Sequence, residues 1–115
     1  MPGTSRHHWG TDIDLNAFNN KYFEAGEGLK IYTWLLENAH KYGFCQPYTD
    51  KDYNRHNGYN EEKWHWSYIT VARQLTYEGK ATVKKEMIQG FQGAETAPEI
   101  DVVNNYILGI NADCL

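Results

Sequence analysis

Between Glu24 and Tyr42 the apolar side chains Leu29, Tyr32, Leu35, Leu36, Ala39 and Tyr42 recur at steps of three and four residues. Such steps share one face only on a helix, so the segment is predicted to be an amphipathic helix with this stripe in the core. Gly43 follows at once, and glycine takes the left-handed conformation that closes a helix without a Cβ clash. Residues 44–49, FCQPYT, are short and aromatic and lie between Gly43 and Asp50. They are predicted to form a strand, with Pro47 placing it near an edge or an end because proline cannot donate to a ladder.

Residues 50–62, DKDYNRHNGYNEE, are polar and contain the turn dipeptide Asn57-Gly58, which predicts a loop or wide hairpin long enough to border a site. In the following KWHWSYI, strand alternation turns Trp64, Trp66 and Tyr68 to one side and His65 and Ser67 to the other. Helices are predicted at about 67–78 ending at Gly79, at about 82–89 between Thr82 and Gly90, and at about 98–108 with Pro98 in the first turn. In the last of these Ile100, Val103 and Ile107 share a face. Within 115 residues this pattern makes one α+β domain, a small antiparallel sheet with helices packed around it. The KWHW strand is expected at its centre, paired with the segment after Gly10.

The formal net charge of -4, with scattered lysines, offers no basic patch to offset phosphate repulsion, so no nucleic-acid partner is expected. No run of about 18 apolar residues exists that could span a membrane, and the first residues lack the order of a secretory signal. Cys45 and Cys114 are far apart and show no CxxC spacing. A disulfide needs their Cα atoms within about 7 Å, and two separate buried thiols are the reading taken. Aromatic residues make up 15% of the chain, which suits a packed core or an aromatic-lined cleft equally.

The chemistry gathers in two places. Residues 5–14 read SRHHWGTDID, with His7, His8, Asp12 and Asp14 as candidate metal donors, and EKWH holds Glu62 and His65 three residues apart. A catalytic zinc takes three protein donors, leaves a fourth position open and needs a nearby carboxylate to receive a proton. His7 and Asp14 differ by an odd number, so on an even strand they would face opposite sides; Gly10 between them permits the bend that lets them converge. By the same parity Glu62 and His65 can meet only if the chain turns before the strand begins.

The first segment resembles the SxHxxGxAxD motif of the zinc D-Ala-D-Ala peptidases, the VanX/VanY-type group within the lysostaphin, D-Ala-D-Ala and hedgehog metallopeptidase superfamily. Ser5, His7, Gly10 and Asp14 match it. The family's ExxWH is matched by Glu62, Trp64 and His65, and WLLENAHKYGFCQPYT and EKWHWSYI look like the VanY-type carboxypeptidases. The resemblance covers most of residues 3–70. It implies that His7, Asp14 and His65 bind Zn2+, that Glu62 is the catalytic base, and that Ser5 supports the site through hydrogen bonds. Arg6 and Trp64 are assigned to the substrate or to the surroundings of the metal. The motif has a small residue where this chain has Asp12. Family members also carry an upstream segment with an arginine that assists substrate or transition state, so the chain is expected to be the C-terminal catalytic part of a longer protein.

The implied activity is hydrolysis of the D-Ala-D-Ala end of a peptidoglycan stem peptide in the bacterial cell envelope, with a dipeptidase or an L-Ala-D-Glu-type endopeptidase left open. The alternative is a zinc-stabilised module that binds peptidoglycan peptides without cutting them, or an incomplete fragment. His8 is expected on the surface or behind the ligands, and Asp12 is a lesser candidate to replace Asp14. His40 and His56 are expected to be solvated. Trp66 is read as core, and Trp64 as either core or pocket wall.

Overall fold

The computed structural model describes residues 3–115. Three short strands form its sheet: β1 (Asp12–Asp14), β2 (Phe44–Cys45) and β3 (His65–Tyr68), in the order β1-β3-β2 with both pairings antiparallel. The KWHW segment is thus central and the residues after Gly10 pair with it. The register places Asp12 opposite Ser67 and Asp14 opposite His65. Because side chains alternate across a strand, these four residues share one face, and the metal-donor candidates from two distant segments are brought side by side by backbone pairing alone.

Helix α1 (Gly26–Asn38) runs on through a 3-10 turn, Ala39–Tyr42, to Gly43. Gly43 has φ 81° and closes the turn with its N–H on the carbonyls of Ala39 and His40. A Cβ at Gly43 would lie 2.9 Å from the Tyr68 ring, so the chain can enter β2 here only without a side chain. The buried stripe of α1 is narrower than its sequence spacing suggests: Ala39 is buried and Tyr32 and Leu35 are half-buried, whereas Leu29, Leu36 and Tyr42 are exposed. The helix packs chiefly against the short 3-10 turn Asn20–Glu24, with Phe23 edge-on to Tyr32, and so small a partner covers only part of a helical face.

The polar 50–62 segment contains one short helix, α2 (Lys51–Asn54), started by the Asp50 side chain accepting the Asp52 N–H. Downstream the structure departs from the sequence expectation. Helix α3 (Ile69–Thr82) passes through Gly79 rather than stopping there. Gly79 keeps helical backbone, and a Cβ there would meet Trp9 and Ile107 at 3.6 Å, an ordinary contact distance, so packing against these two segments carries the helix through this point. The helix expected at 82–89 is reduced to a 3-10 turn, Lys85–Met87, with Met87 exposed; a short helix with no packed face lacks what stabilises helices in water. The helix expected at 98–108 is broken at Asp101, which has φ 46°, leaving α4 (Ala97–Ile100, with Pro98 in its first turn) and a π-helical turn, Val103–Ile107.

The expectation of two separate thiols is overturned. Cys45 and Cys114 form a disulfide with Cα atoms 5.7 Å apart, because the C-terminal segment folds back along β2. There Asn111 N–H donates to the Pro47 carbonyl at 2.7 Å, and Tyr48, Ile110 and Cys114 form a buried cluster. Sequence spacing carries no information about such a return. The bridge closes a loop of 69 residues, which in the chain-entropy description stabilises the fold by about 4 kcal/mol. The Cys45→Ala/Cys114→Ala variant is therefore expected to melt well below the parent in a calorimetric scan. Equal melting of parent and variant would remove the bridge from the stability account.

Candidate metal centre

Ser5 leads into a 3-10 turn, Arg6–Trp9, which ends on Gly10 at φ 69° with its N–H on the His7 carbonyl. A residue with a side chain would be strained there. The bend turns the chain from the helical turn into β1, so that His7 and Asp14 lie on the same side despite their odd spacing. His7 Nε2 is 3.2 Å from Asp14 Oδ2, and Asp14 Oδ1 is 3.8 Å from His65 Nδ1. Donor atoms of His7, Asp14 and His65 all lie within 4.8 Å of one another.

A second turn sets Glu62 beside them. The chain bends at residues 63 and 64, with His65 N–H on the Glu62 carbonyl, and β3 begins only at His65. Glu62 N–H donates to the Tyr48 carbonyl at 2.9 Å, and Gln46 Nε2 donates to the carbonyls of both Tyr48 and Glu62. Asn20 clamps the flanking residues, donating to the Glu61 carbonyl and accepting from Lys63 N–H. The Glu62 carboxylate then reaches His65, with Oε2 2.9 Å from Nδ1. A cavity of about 250 Å³ opens over these groups, walled by Ser5, Tyr48, Tyr59, Trp64 and Phe18.

The donor set fits zinc. It consists of two imidazoles and one carboxylate, and tetrahedral ligands at about 2.0–2.1 Å from the ion leave donor atoms roughly 3.3 Å from one another; the His7–Asp14 pair stands at 3.2 Å and the Asp14–His65 pair at 3.8 Å. Each histidine also has its remote nitrogen engaged by an acceptor, the arrangement that fixes a ligating ring. His65 Nε2 is 2.8 Å from Asp12 Oδ2, and His7 Nδ1 is 3.2 Å from the Asp12 carbonyl.

Of the other residues singled out in the sequence, Arg6 is only 1% exposed and points into the interior, donating to Asp12, Ser67 and Thr76. It reaches the site through Asp12 and lines no part of the cavity. Ser5 supplies a carbonyl to His8 N–H and part of the cavity wall, and its side chain makes no capping bond. Trp64 does not share a face with Trp66: it lies in the turn before β3 and walls the cavity, edge-on to Phe18, while Trp66 is buried on the opposite face. Asp12 is buried behind the donors and does not join them; His8, His40 and His56 are exposed and lie apart from the cluster.

Three cavity residues were not singled out by sequence reasoning. Tyr48 packs edge-on to His65 with ring centroids 5.0 Å apart, and burial pushes its hydroxyl well above the usual phenol range, so it stays neutral. Tyr59 comes from the polar loop, and Phe18 from the segment after β1. The loop's length was a usable signal for Tyr59; Tyr48 and Phe18 carried none beyond being aromatic.

Burial opposes charge on both members of the His65–Asp12 pair, but their mutual contact outweighs it. Against burial, the bonds to Asp12 and Glu62 hold His65 up at about 8. Likewise the His65 bond, the Arg6 charge and the hydroxyls of Thr11 and Ser67 hold Asp12 down at about 2. The sign for stability follows from linkage. His65 titrates higher folded than unfolded, so in the chelator-treated chain its contribution is complete below pH 6.5 and lost as the pH rises through 8. The Asp12 contribution is present above pH 3.8 and lost as the pH falls through 2. Melting of the chelated chain is therefore expected several degrees lower at pH 8.5 than at pH 6. A zinc ion held by these donors would require His65 unprotonated at its donor nitrogen, so any gain in melting temperature on adding zinc is expected to grow over the same interval.

The VanY family model, described as D-alanyl-D-alanine carboxypeptidase, matches residues 1–71. A D-alanyl-D-alanine carboxypeptidase of Enterococcus faecalis is 32% identical over 81 residues, covering 69% of this chain and 28% of that protein. One from Enterococcus faecium is 30% identical over 94 residues, covering 82% of this chain and 29% of that protein. An uncharacterised protein of Haemophilus influenzae is 30% identical over 86 residues, 63% of each chain. This chain thus spans under a third of the length of either carboxypeptidase. No solved structure matches it at a comparable level. With the match covering the whole of the sheet and every residue around the cavity, the chain belongs to the VanY family.

Proposed function

We propose that this chain is the zinc-dependent catalytic part of a peptidoglycan peptidase that removes the terminal residue from stem peptides ending in D-Ala-D-Ala. The observation that carries this reading is the convergence of His7, Asp14 and His65 with the carboxylate of Glu62 at one open cavity. The names of the enterococcal relatives support the substrate class. His7, Asp14 and His65 would hold the zinc. Zinc there supplies Lewis-acid chemistry, polarising the scissile carbonyl and making water acidic enough to lose a proton near pH 7.

The protein's own part is positional and protolytic. Glu62 takes the proton of the attacking water on its carboxylate and returns it to the leaving amine, for which its place at the cavity and its backbone clamp by Tyr48 and Gln46 suit it. Trp64, Phe18, Tyr48 and Tyr59 wall the reacting bond from bulk water and present flat apolar surface to the small side chains of such a peptide. A pure binding module has no use for a carboxylate at the place of Glu62. Location in the bacterial cell envelope follows from the substrate, and the Cys45–Cys114 disulfide suits such an oxidising compartment. No helix among the described residues is long and apolar enough to cross a membrane.

The test is incubation of the zinc-loaded chain with a peptide ending in D-Ala-D-Ala and assay of free D-Ala. Release abolished by a chelator is expected. Binding of the peptide without release would replace the enzyme with a recognition module.

A further inference from the structure

Beneath the cavity lies a buried polar cluster that no substrate can reach. Its centre is Asp12, whose side chain is fully buried. Oδ2 accepts from Arg6 Nε at 3.0 Å and lies 2.8 Å from His65 Nε2; Oδ1 accepts from the hydroxyls of Thr11 and Ser67, each at 2.8 Å. All the acceptor capacity of the carboxylate is thereby used. Arg6 is in turn held by Thr76 Oγ1 at 3.0 Å and Ser67 Oγ at 2.9 Å, with its guanidinium over the Trp9 ring. The backbone carbonyl of the same Asp12 faces His7 Nδ1 at 3.2 Å. One residue therefore touches the remote nitrogen of both histidines, at a place where the motif this segment resembles has a small side chain.

We propose that Asp12 is the positioning residue of the metal centre, accepting His65 Nε2–H on its carboxylate and His7 Nδ1–H on its carbonyl so that His65 Nδ1 and His7 Nε2 are the atoms presented to the cation. The assignment rests on the zinc reading above. A neutral imidazole carries its proton on one nitrogen only, and an acceptor at the remote nitrogen selects the tautomer that leaves the other free. Arg6, Thr11 and Ser67 fix the carboxylate so that the choice does not depend on solvent. Asparagine at 12 is uncharged and has one oxygen: with that oxygen toward His65, its amide must donate to the Thr11 and Ser67 hydroxyls that now donate to the carboxylate, and the charge that holds Arg6 and fixes the cluster is lost.

The test compares zinc affinity, by competition with a chromophoric chelator, in the parent, Asp12→Asn and Thr76→Val. Thr76 touches Arg6 but neither histidine, so it reports on loosening of the cluster alone. Asp12→Asn is expected to bind zinc about 10- to 100-fold more weakly, and Thr76→Val to melt lower while binding like the parent. Long-range proton–nitrogen NMR of the zinc-loaded parent, which needs no variant to fold, is expected to show His65 protonated at Nε2 and His7 at Nδ1. Parental zinc affinity in Asp12→Asn, or the opposite protonation of His65 in the spectrum, would overturn the role of Asp12 and leave the zinc reading standing. A parent chain that binds no zinc would overturn both.

Discussion

Glu62→Ala is expected to retain zinc and lose turnover on a D-Ala-D-Ala peptide by a factor of about 10²–10⁴, the usual contribution of a positioned acid–base group. The metal should stay because the carboxylate of Glu62 stands outside the His7, Asp14 and His65 cluster. The fold should stay because what fixes this turn is backbone: Glu62 N–H on the Tyr48 carbonyl, the Glu62 carbonyl held by Gln46, and Asn20 bonding to residues on either side. One contact is lost, the carboxylate on His65 Nδ1 at 2.9 Å, and that nitrogen is the one proposed to meet the metal. Zinc binding in Glu62→Ala is thus expected to be at least as tight as in the parent, since no carboxylate competes for the same ring atom. Free D-Ala and chelator competition, measured on one sample, read both quantities. Unchanged release would take Glu62 out of its role.

The sheet was the most legible part of the fold, and parity is the reason. The alternation in KWHWSYI, the need for a bend at Gly10 and the need for a turn before His65 each follow from two-residue periodicity, and all three are present. Alternation was extended one residue too far at Trp64, because a strand's end is set by the turn it joins and the turn begins at Lys63. The C-terminal half was less legible. Gly79 and Gly90 are read from the sequence as helix stops, yet a glycine inside a packed helix and a glycine at a stop look alike in sequence; the difference at Gly79 is contact with Trp9 and Ile107, which are 70 and 28 residues away. The disulfide belongs to the same class, since its formation depends on how the chain returns to β2.

Around the site, sequence reasoning located the groups by chemical type and motif but could not rank Asp12 and Arg6. Asp12 is read there as a lesser candidate to replace Asp14, and Arg6 as a residue of the substrate site or of the metal's surroundings. Burial changes what they do: a carboxylate and a guanidinium deprived of water must find partners, and those available are the histidines and hydroxyls of the facing strand and helix. The signal was present in the register, since Asp12 and Asp14 necessarily share a face with His65 and Ser67 once β1 pairs with β3. Only the depth of that face was missing.

His65→Ala is the second variant with a large expected effect, and it should separate from Glu62→Ala by losing the metal as well as turnover. His65 is the donor that the surroundings hold most firmly. It is 4% exposed, lies in the central strand, is flanked by the Tyr48 ring and has Asp12 behind it, whereas His7 is exposed and sits on a short turn. Removing a secondary partner of a metal ligand usually costs about 10- to 100-fold in affinity, so loss of the ligand itself should exceed roughly 100-fold. Stability should fall both with and without zinc, for different reasons. In the chelated chain the substitution opens a cavity and deprives Asp12 of one of its partners, but Arg6, Thr11 and Ser67 remain bonded to that carboxylate, so the variant is expected to fold. The fall in melting temperature between pH 6.5 and 8.5 should vanish with the group that causes it, and added zinc should no longer raise the melting temperature. A metal assay and two melting curves decide the matter: a His65→Ala chain that still gains stability from zinc in the parental range would show that the three donors named here are not the ones that hold it.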